Sequence, residues 1–344
     1  RIRHHQVEVS SYPLFRYPPY DIALASLLAD VVEEMSLDLV HVHYAIPHAV
    51  AALLVRDIVR PRRLPVVTTL HGTDITIVGQ DRSYARVTRH ALEQSDVVTS
   101  VSSYLTRETQ RIFETERRIL TIPNFVNPDE FRPGAPSHVR TCFAPHGECV
   151  LIHVSNFRPV KRAELVIEAF AEVRTRVPAT LLMVGEGPTR ASCEDRARAL
   201  GLRSEVRFLG AQANVESLLP VADVLLLPSE YESFGLVALE AMACGCVPIA
   251  TRAGGLPEVI ESGVDGLLVP EAEIGGMGRL AADLLEDTPR LERMGEAARQ
   301  AVLSRFSRDR ILPLYEAAYE EALSGSPQVA STAPSPEDVG SRNA

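Results

Sequence analysis

The chain has 344 residues, 46% apolar and 23% charged, which is enough apolar mass for two domains. Its 45 acidic residues outnumber 35 basic ones, and the net charge of −10 argues against general binding to nucleic acid or to an anionic membrane. Five cysteines, an odd number partly in apolar segments, make no disulfide framework and suit a reducing cytoplasm, and no apolar run has the length of a membrane span.

Taken in chain order, Val7 to Val9 reads as a strand, Tyr17-Pro18-Pro19-Tyr20 breaks the chain, and Ile22 to Met35 carries a helical pattern. Leu39 to Tyr44 is a short strand that puts His41 and His43 on one face, and a helix of alanines and leucines follows to about Val59. A metal pair there lacks a third ligand in register, so packing or substrate contact is the expectation. Val66 to Leu70 is the next strand. His71-Gly72-Thr73-Asp74 sits at its carboxyl end, where open α/β sheets bind ligands, and glycine beside a histidine lets a ligand come close. Gly79 to Glu93 is polar, then helical, and carries Arg86, Arg89 and His90. Strands at Asp96 to Ser102 and Ile119 to Ile122 flank a helix from Tyr104 to Phe113, and Pro133 to Ser137 has the composition of a linker.

The second half repeats the alternation. Val150 to Val154 is a strand, and the loop after it offers Arg158 and Lys161 where a diphosphate would need cations; alone, the pair reads equally as a basic surface loop. Further strands are Leu181 to Val184, followed by Gly185-Glu186-Gly187-Pro188, and Val206 to Gly210, with a short helix from Val215 to Leu219. Then comes the stretch with most information. Val224 to Leu227 is a strand, Phe234 to Cys244 a helix with Ser233 available as its cap, Val247 to Ala250 a strand, and Gly254-Gly255 a tight loop. Such a series presents backbone N–H groups to phosphate. Glu232 precedes the helix and Glu240 lies within its nearly all-apolar sequence, where an unpaired charge is expensive. Helices at Gly275 to Glu286, Pro289 to Phe306 and Asp309 to Leu323 complete an α/β chain with two doubly wound parallel sheets and a ligand between them.

The pattern E-SFGLVAL-E, followed by AMACG, P and GG-PE, closely resembles the retaining nucleotide-sugar glycosyltransferases of the GT-B fold, specifically glycosyltransferase family 4, which works without a metal. Two Rossmann-like domains facing a cleft are implied: 1–134 on the acceptor side, 135–308 for the nucleotide sugar, 309–323 as a helix crossing back, and 324–344 as a disordered Ser/Pro/Gly/Ala-rich tail. Residue by residue, the resemblance makes Glu232 a contact of the donor sugar and Glu240 of the ribose. Ser233, Phe234, Gly235 and Leu236 would form the phosphate-binding helix end. TTLHGTD makes His71 the catalytic histidine, Arg158 and Lys161 the R-x-x-K clamp on the leaving diphosphate, and VGEGP and Val206 to Gly210 bring Gly185 and Gly210 to the nucleotide. A GT-B first domain opens with a strand and a glycine-rich loop. No glycine precedes Gly72, so the expectation is that about one βα unit, roughly thirty residues, is missing at the start.

HVHYAIPHAVAA, VVTTLHGTDIT, SDVVTSVS, IPNFV and HVSNFRPVKR narrow the resemblance, from Tyr12 to about Tyr319, to the branch of that family that moves N-acetylglucosamine from UDP to the hydroxyl of L-malate, the first step of bacillithiol biosynthesis. By matching position Tyr44, Thr69, Arg89 and Asn156 become acceptor candidates, with Arg89 either pairing a malate carboxylate or lying solvated on its helix. The implied partners are UDP-N-acetylglucosamine and the small-molecule acceptor, with no metal, nucleic acid or membrane insertion, and with a homo-oligomer left open. The alternatives are a related transferase with another sugar or lipid acceptor, a nucleotide-sugar epimerase, and an inactive nucleotide-sugar-binding fragment.

Overall fold

The computed structural model describes residues 2–10, 19–134 and 137–325. The run Val66–Leu70 is buried at all five positions, as a strand covered on both faces must be, and it sits inside a four-stranded parallel sheet. The elements of this first unit are α1 (Tyr20–Glu34), β1 (Val40–His43), α2 (Val50–Ile58), β2 (Val66–Leu70), α3 (Thr73–Thr76), α4 (Ala85–Gln94), β3 (Val97–Ser100), α5 (Ser103–Phe113) and β4 (Ile119–Thr121). Strand order is β1-β2-β3-β4, in a register that pairs His43 with Thr69 and Leu70 with Ser100. Parallel neighbours need long crossovers, which the helices supply.

The second unit comprises α6 (Ser137–Phe143), β5 (Cys149–Val154), α7 (Ala163–Arg174), β6 (Ala179–Val184), α8 (Arg190–Ala199), β7 (Val206–Gly210), β8 (Val224–Leu227), α9 (Leu236–Ala243), β9 (Val247–Thr251), α10 (Leu256–Val259), β10 (Leu267–Val269), α11 (Met277–Glu286) and α12 (Thr288–Arg305). Its six parallel strands run β10-β9-β8-β5-β6-β7, so the order reverses between β5 and β8. Ligands of open sheets gather outside the carboxyl ends of strands at such a switch point.

The last helix, α13 (Arg308–Ser324), leaves the second unit and packs its Ile311, Ala318 and Ala322 against Val67, Val97 and Ile122 of the first. Two chain segments thus pass between the units, and they touch: Val126 N donates to Phe306 O at 3.2 Å. Arg299 of α12 binds the carbonyls of Pro128, Phe131 and Ala243. One buried cluster runs from Leu70, Ile75, Val101 and Leu105 of the first unit to Phe234, Leu239 and Leu256 of the second.

Several local expectations need correction. Val7–Val9 is no strand and lies outside both sheets, pairing with no strand among the described residues. The helix expected from Phe234 starts at Leu236, and its N-cap is Gly235 at φ +98°, not Ser233. Phe234 is diverted into the core, edge-on to Phe306 at 5.8 Å, which requires a turn that only glycine makes cheaply. The short helix at Val215 to Leu219 is instead two 3₁₀ turns, with Pro220 in the second. Tyr17, Pro18 and most of the tail, from Ser326 on, lie outside the described residues, as do Ala135 and Pro136 of the linker.

Candidate functional site

Three loops at strand ends converge between the units. On the first sheet β2 ends at His71, and Gly72 follows at φ +116°; a Cβ there would sit 1.6 Å from Ser233 Oγ of the second unit, so glycine permits the close approach of the two walls. Asp74 anchors this loop from inside. It is buried, and its carboxylate accepts from the backbone N–H groups of Ala45 at 2.8 Å, Gly72 at 2.9 Å and His71 at 3.3 Å. Burial raises its pKa, and the three bonds work against that rise.

On the second sheet β5 leads into the loop carrying Arg158 and Lys161. His153 organises it: Nδ1–H donates to Leu226 O at 2.9 Å, and Nε2 accepts from Ser155 Oγ at 2.8 Å, which itself accepts from Phe157 N at 3.1 Å. Full burial pushes His153 down to about 4, so it holds the loop as a neutral ring. β8 leads into the third loop, where Glu232 accepts from Lys161 Nζ at 2.5 Å and from Ser229 Oγ at 3.0 Å. The next N–H groups, of Phe234, Gly235 and Leu236, find no acceptor among the described residues, as the open amino end of a helix leaves them.

These loops enclose a cleft of about 740 Å³. Tyr44, His71, Thr73 and Thr76 line it from the first unit, and Asn156, Arg158, Lys161, Glu232, Ser233, Phe234, Gly235 and Leu236 from the second. Cations, a carboxylate and unpaired N–H groups on one wall, with an imidazole and a phenol on the other, can bind a phosphorylated, hydroxyl-rich ligand across the gap. Among the described residues no cluster of His, Cys, Asp and Glu could hold a metal ion, and no helix is long and apolar enough to cross a membrane.

Comparison with known proteins gives this chemistry a context. Residues 1–130 match the model of "Glycosyltransferase Family 4" and residues 141–301 that of "Glycosyl transferases group 1". The N-acetyl-alpha-D-glucosaminyl L-malate synthase of Bacillus anthracis is 44% identical over 93% of this chain and 84% of its own length. The chain belongs to this family of glycosyltransferases. A GDP-mannose-dependent alpha-(1-6)-phosphatidylinositol monomannoside mannosyltransferase of Mycolicibacterium smegmatis is 30% identical, over 86% of this chain and 81% of its own. Among solved structures, Anabaena HepE in complex with UDP and glucose superposes with a TM-score of 0.76 at 23% identity, covering 91% of this chain and 84% of its own. Sucrose-phosphate synthase from Thermosynechococcus elongatus does so at 0.76 and 22%, covering 94% and 86%. The fold of the transferase is GT-B.

Not every residue singled out in the sequence reaches the cleft of the transferase. Arg89 does not line it; the side chain is exposed and pairs with Glu93 at 2.8 Å, one turn along α4. Thr69 lies fully buried behind the wall, with Oγ1 2.7 Å from His41 Nε2 and 2.6 Å from Thr99 Oγ1. Gly185 and Gly210 meet each other through an N–H···O bond of 2.8 Å, outside the cleft lining. Glu240 also lies outside it, in mid-α9. Burial first, then Glu216 and Glu130, push its carboxyl up to about 7.

Sequence reading passed over other parts of the transferase's site. Asp74 and His153 sit inside segments that stood out, TTLHGTD and HVSNFRPVKR, but their backbone and serine partners become visible only in three dimensions. Glu258, of GG-PE, reaches from the second unit to the amino end of α5, accepting from Ser103 N at 2.8 Å and Tyr104 N at 2.6 Å. Beside it Ser102 Oγ donates to Ser233 O at 2.6 Å. A carboxylate that caps a helix of the other unit leaves no local signature, since its partners lie over 150 residues away.

Proposed function

We propose that this transferase moves N-acetylglucosamine from UDP-N-acetylglucosamine to the hydroxyl of L-malate with retention, in the cytoplasm and without a metal ion, as the first step of bacillithiol biosynthesis. The observation that carries the reading is the cleft itself, where Arg158, Lys161, Glu232 and unpaired N–H groups face His71 and Tyr44. The name and extent of the Bacillus anthracis relative support the choice of substrates.

In this reading the donor diphosphate lies on Arg158, Lys161 and the N–H groups of Phe234, Gly235 and Leu236, with Ser233 beside them. Lys161 exchanges its pairing with Glu232 for the diphosphate, and Glu232 is released to accept from a sugar hydroxyl. Glu240 takes the ribose hydroxyls, which satisfies a carboxylate that has no partner among the described residues, and the backbone at Gly185 and Gly210 borders the base. Malate enters beside Tyr44 and Asn156. Thr69 acts behind the wall, through His41, and Arg89 has no part because Glu93 occupies it outside the cleft.

The reaction proceeds on one face of the sugar. The bond from C1 to the diphosphate oxygen breaks, the malate hydroxyl oxygen bonds to C1 from the same side, and its proton passes to the departing oxygen. Two cations and aligned N–H groups in a partly enclosed site stabilise the charge that develops on the leaving group, and preorganised donors of this kind commonly supply the largest share of the acceleration. The test is to incubate the protein with UDP-N-acetylglucosamine and L-malate, following UDP release and product mass. A malate-dependent α-glycoside is the expected product; UDP release that needs a different hydroxyl acceptor discards malate and retains the donor.

A further inference from the structure

His71 is not alone on its wall. His43, at the carboxyl end of β1, lies beside it across the β1–β2 pair, with Nδ1 2.8 Å from His71 Nε2 and ring centroids 5.0 Å apart. Two neutral imidazoles at that distance share one proton, and the ring that accepts must carry its own proton on its other nitrogen. His43 therefore decides which face of its chemistry His71 shows to the cleft.

The neighbours keep the pair in place and uncharged. His48 Nδ1 donates to the backbone carbonyl of His43 at 2.6 Å. His41 packs against His43 with centroids 4.6 Å apart, and is itself pinned by Thr69 and, at 2.8 Å, by the hydroxyl of Tyr319 on α13. Burial and the adjoining imidazoles push His41 and His71 down to about 4 and lower His43 as well. On the far side, His71 Nδ1 makes no hydrogen bond among the described residues, and the ring borders a cleft whose opposite wall carries Arg158 and Lys161. That wall selects a ligand rich in anionic and hydroxyl oxygens. A lone pair on Nδ1 would oppose such oxygens, whereas an N–H would bind one.

We propose that His43 is a positioning residue for His71: its Nδ1–H donates to His71 Nε2, which leaves the His71 proton on Nδ1 as a donor to an oxygen of the bound sugar nucleotide. This deepens the proposed reaction and rests on His71 belonging to the reacting site. His43 is partly exposed at the end of an edge strand, so its replacement spares the core.

The test uses two nearly isosteric variants of the full chain. Asparagine sets its amide where Nδ1 of histidine lies, and glutamine where Nε2 lies, so only His43→Asn can keep the bond. Histidine-¹⁵N-labelled protein, with His71→Gln to assign the signals, reports the tautomer of His71 by long-range ¹H–¹⁵N correlation. The expected result is an Nδ1–H His71 in the wild type and in His43→Asn, lost in His43→Gln. An Nε2–H His71 in the wild type, or one tautomer unchanged through both variants, overturns the proposal. In turnover, His43→Gln should lower kcat about 10- to 100-fold, the scale on which small misplacements act, and His43→Asn should restore most of it. The donor KM should stay within about twofold, because the effect falls on orientation and not on the diphosphate clamp. Equal turnover in the two variants also overturns it. Should the wild type fail to glycosylate malate, the proposed function fails, and the tautomer measurement still decides the role of His43.

Discussion

The two walls of the cleft rest on the same kind of parallel sheet yet work differently. On the first wall charge is withheld: His43 and His71 are held neutral and bonded to each other, and the one buried carboxylate, Asp74, is turned inward onto backbone N–H groups. On the second wall charge is displayed, with Arg158 and Lys161 at the cleft and Glu232 paired to Lys161. A neutral wall can either donate or accept a hydrogen bond; a charged wall is suited to one task, which in the proposed reaction is holding the diphosphate while it leaves. The same contrast separates two carboxylates, the buried Asp74 and the half-buried Glu240. Asp74 has three N–H partners, while Glu240 has none among the described residues and faces Glu216 and Glu130.

The largest effect should come from breaking the charged wall. Lys161→Ala removes one of its two cations and frees Glu232 to repel the diphosphate, so turnover should fall about 10²- to 10³-fold, as loss of one preorganised donor typically does. UDP release at saturating donor measures it, and near-wild-type turnover would remove Lys161 from the clamp. Next is the anchor of the neutral wall. Asp74→Ala strands three backbone N–H groups and should cost at least about 3 kcal/mol in denaturant unfolding, since bonds to a charged acceptor are each worth about 1.5–3 kcal/mol and relief from burying the carboxylate offsets only part of their sum.

Glu240→Gln should act in the opposite direction. A carboxyl raised to about 7 in the folded state binds protons there that the unfolded chain has released, so stability declines as pH rises from about 4.5 to 7. The glutamine variant should therefore be more stable than the wild type by about 2 kcal/mol at pH 8, with the gap closing near pH 4, in paired unfolding titrations. In the variant background His41, His71 and His153 should then show plainly. Each is lowered to about 4, so the unfolded chain takes up protons first, and stability present above about pH 6.5 is lost as pH falls toward 4. A flat profile between those values would contradict their neutral burial. The smallest effect belongs outside both walls: Arg89→Ala should change stability by less than about 0.5 kcal/mol, as exposed pairs one helical turn apart do, and leave the malate KM unchanged. A large rise in that KM would return Arg89 to the acceptor site.

Much of this was legible in the chain alone. Val66–Leu70 and Val224–Leu227 are apolar runs of strand length with turn residues beyond them, and such runs announce both their burial and the loops at their ends. His71, Arg158, Lys161 and Glu232 all stand at or just beyond such ends, so their arrival at one cleft followed from periodicity and parallel topology. What depended on a distant neighbour stayed hidden. Ser233 looked like the cap of α9 until Phe234 was seen to dive toward Phe306 and leave the role to Gly235. The family resemblance implies a malate contact for Arg89 and a ribose contact for Glu240, but a resemblance carries no side-chain direction. Which way each side chain faces is set by helix phase against the rest of the fold: α4 turns Arg89 to solvent, while α9 leaves Glu240 half-buried and within the field of Glu216 and Glu130. Local spacing determined the strands, the helices and the loops that carry charge. Only tertiary structure decided that His43 meets His71, that Glu258 caps α5 and that Lys161 rests on Glu232, because each contact joins segments whose separation is set by packing and carries no periodic trace.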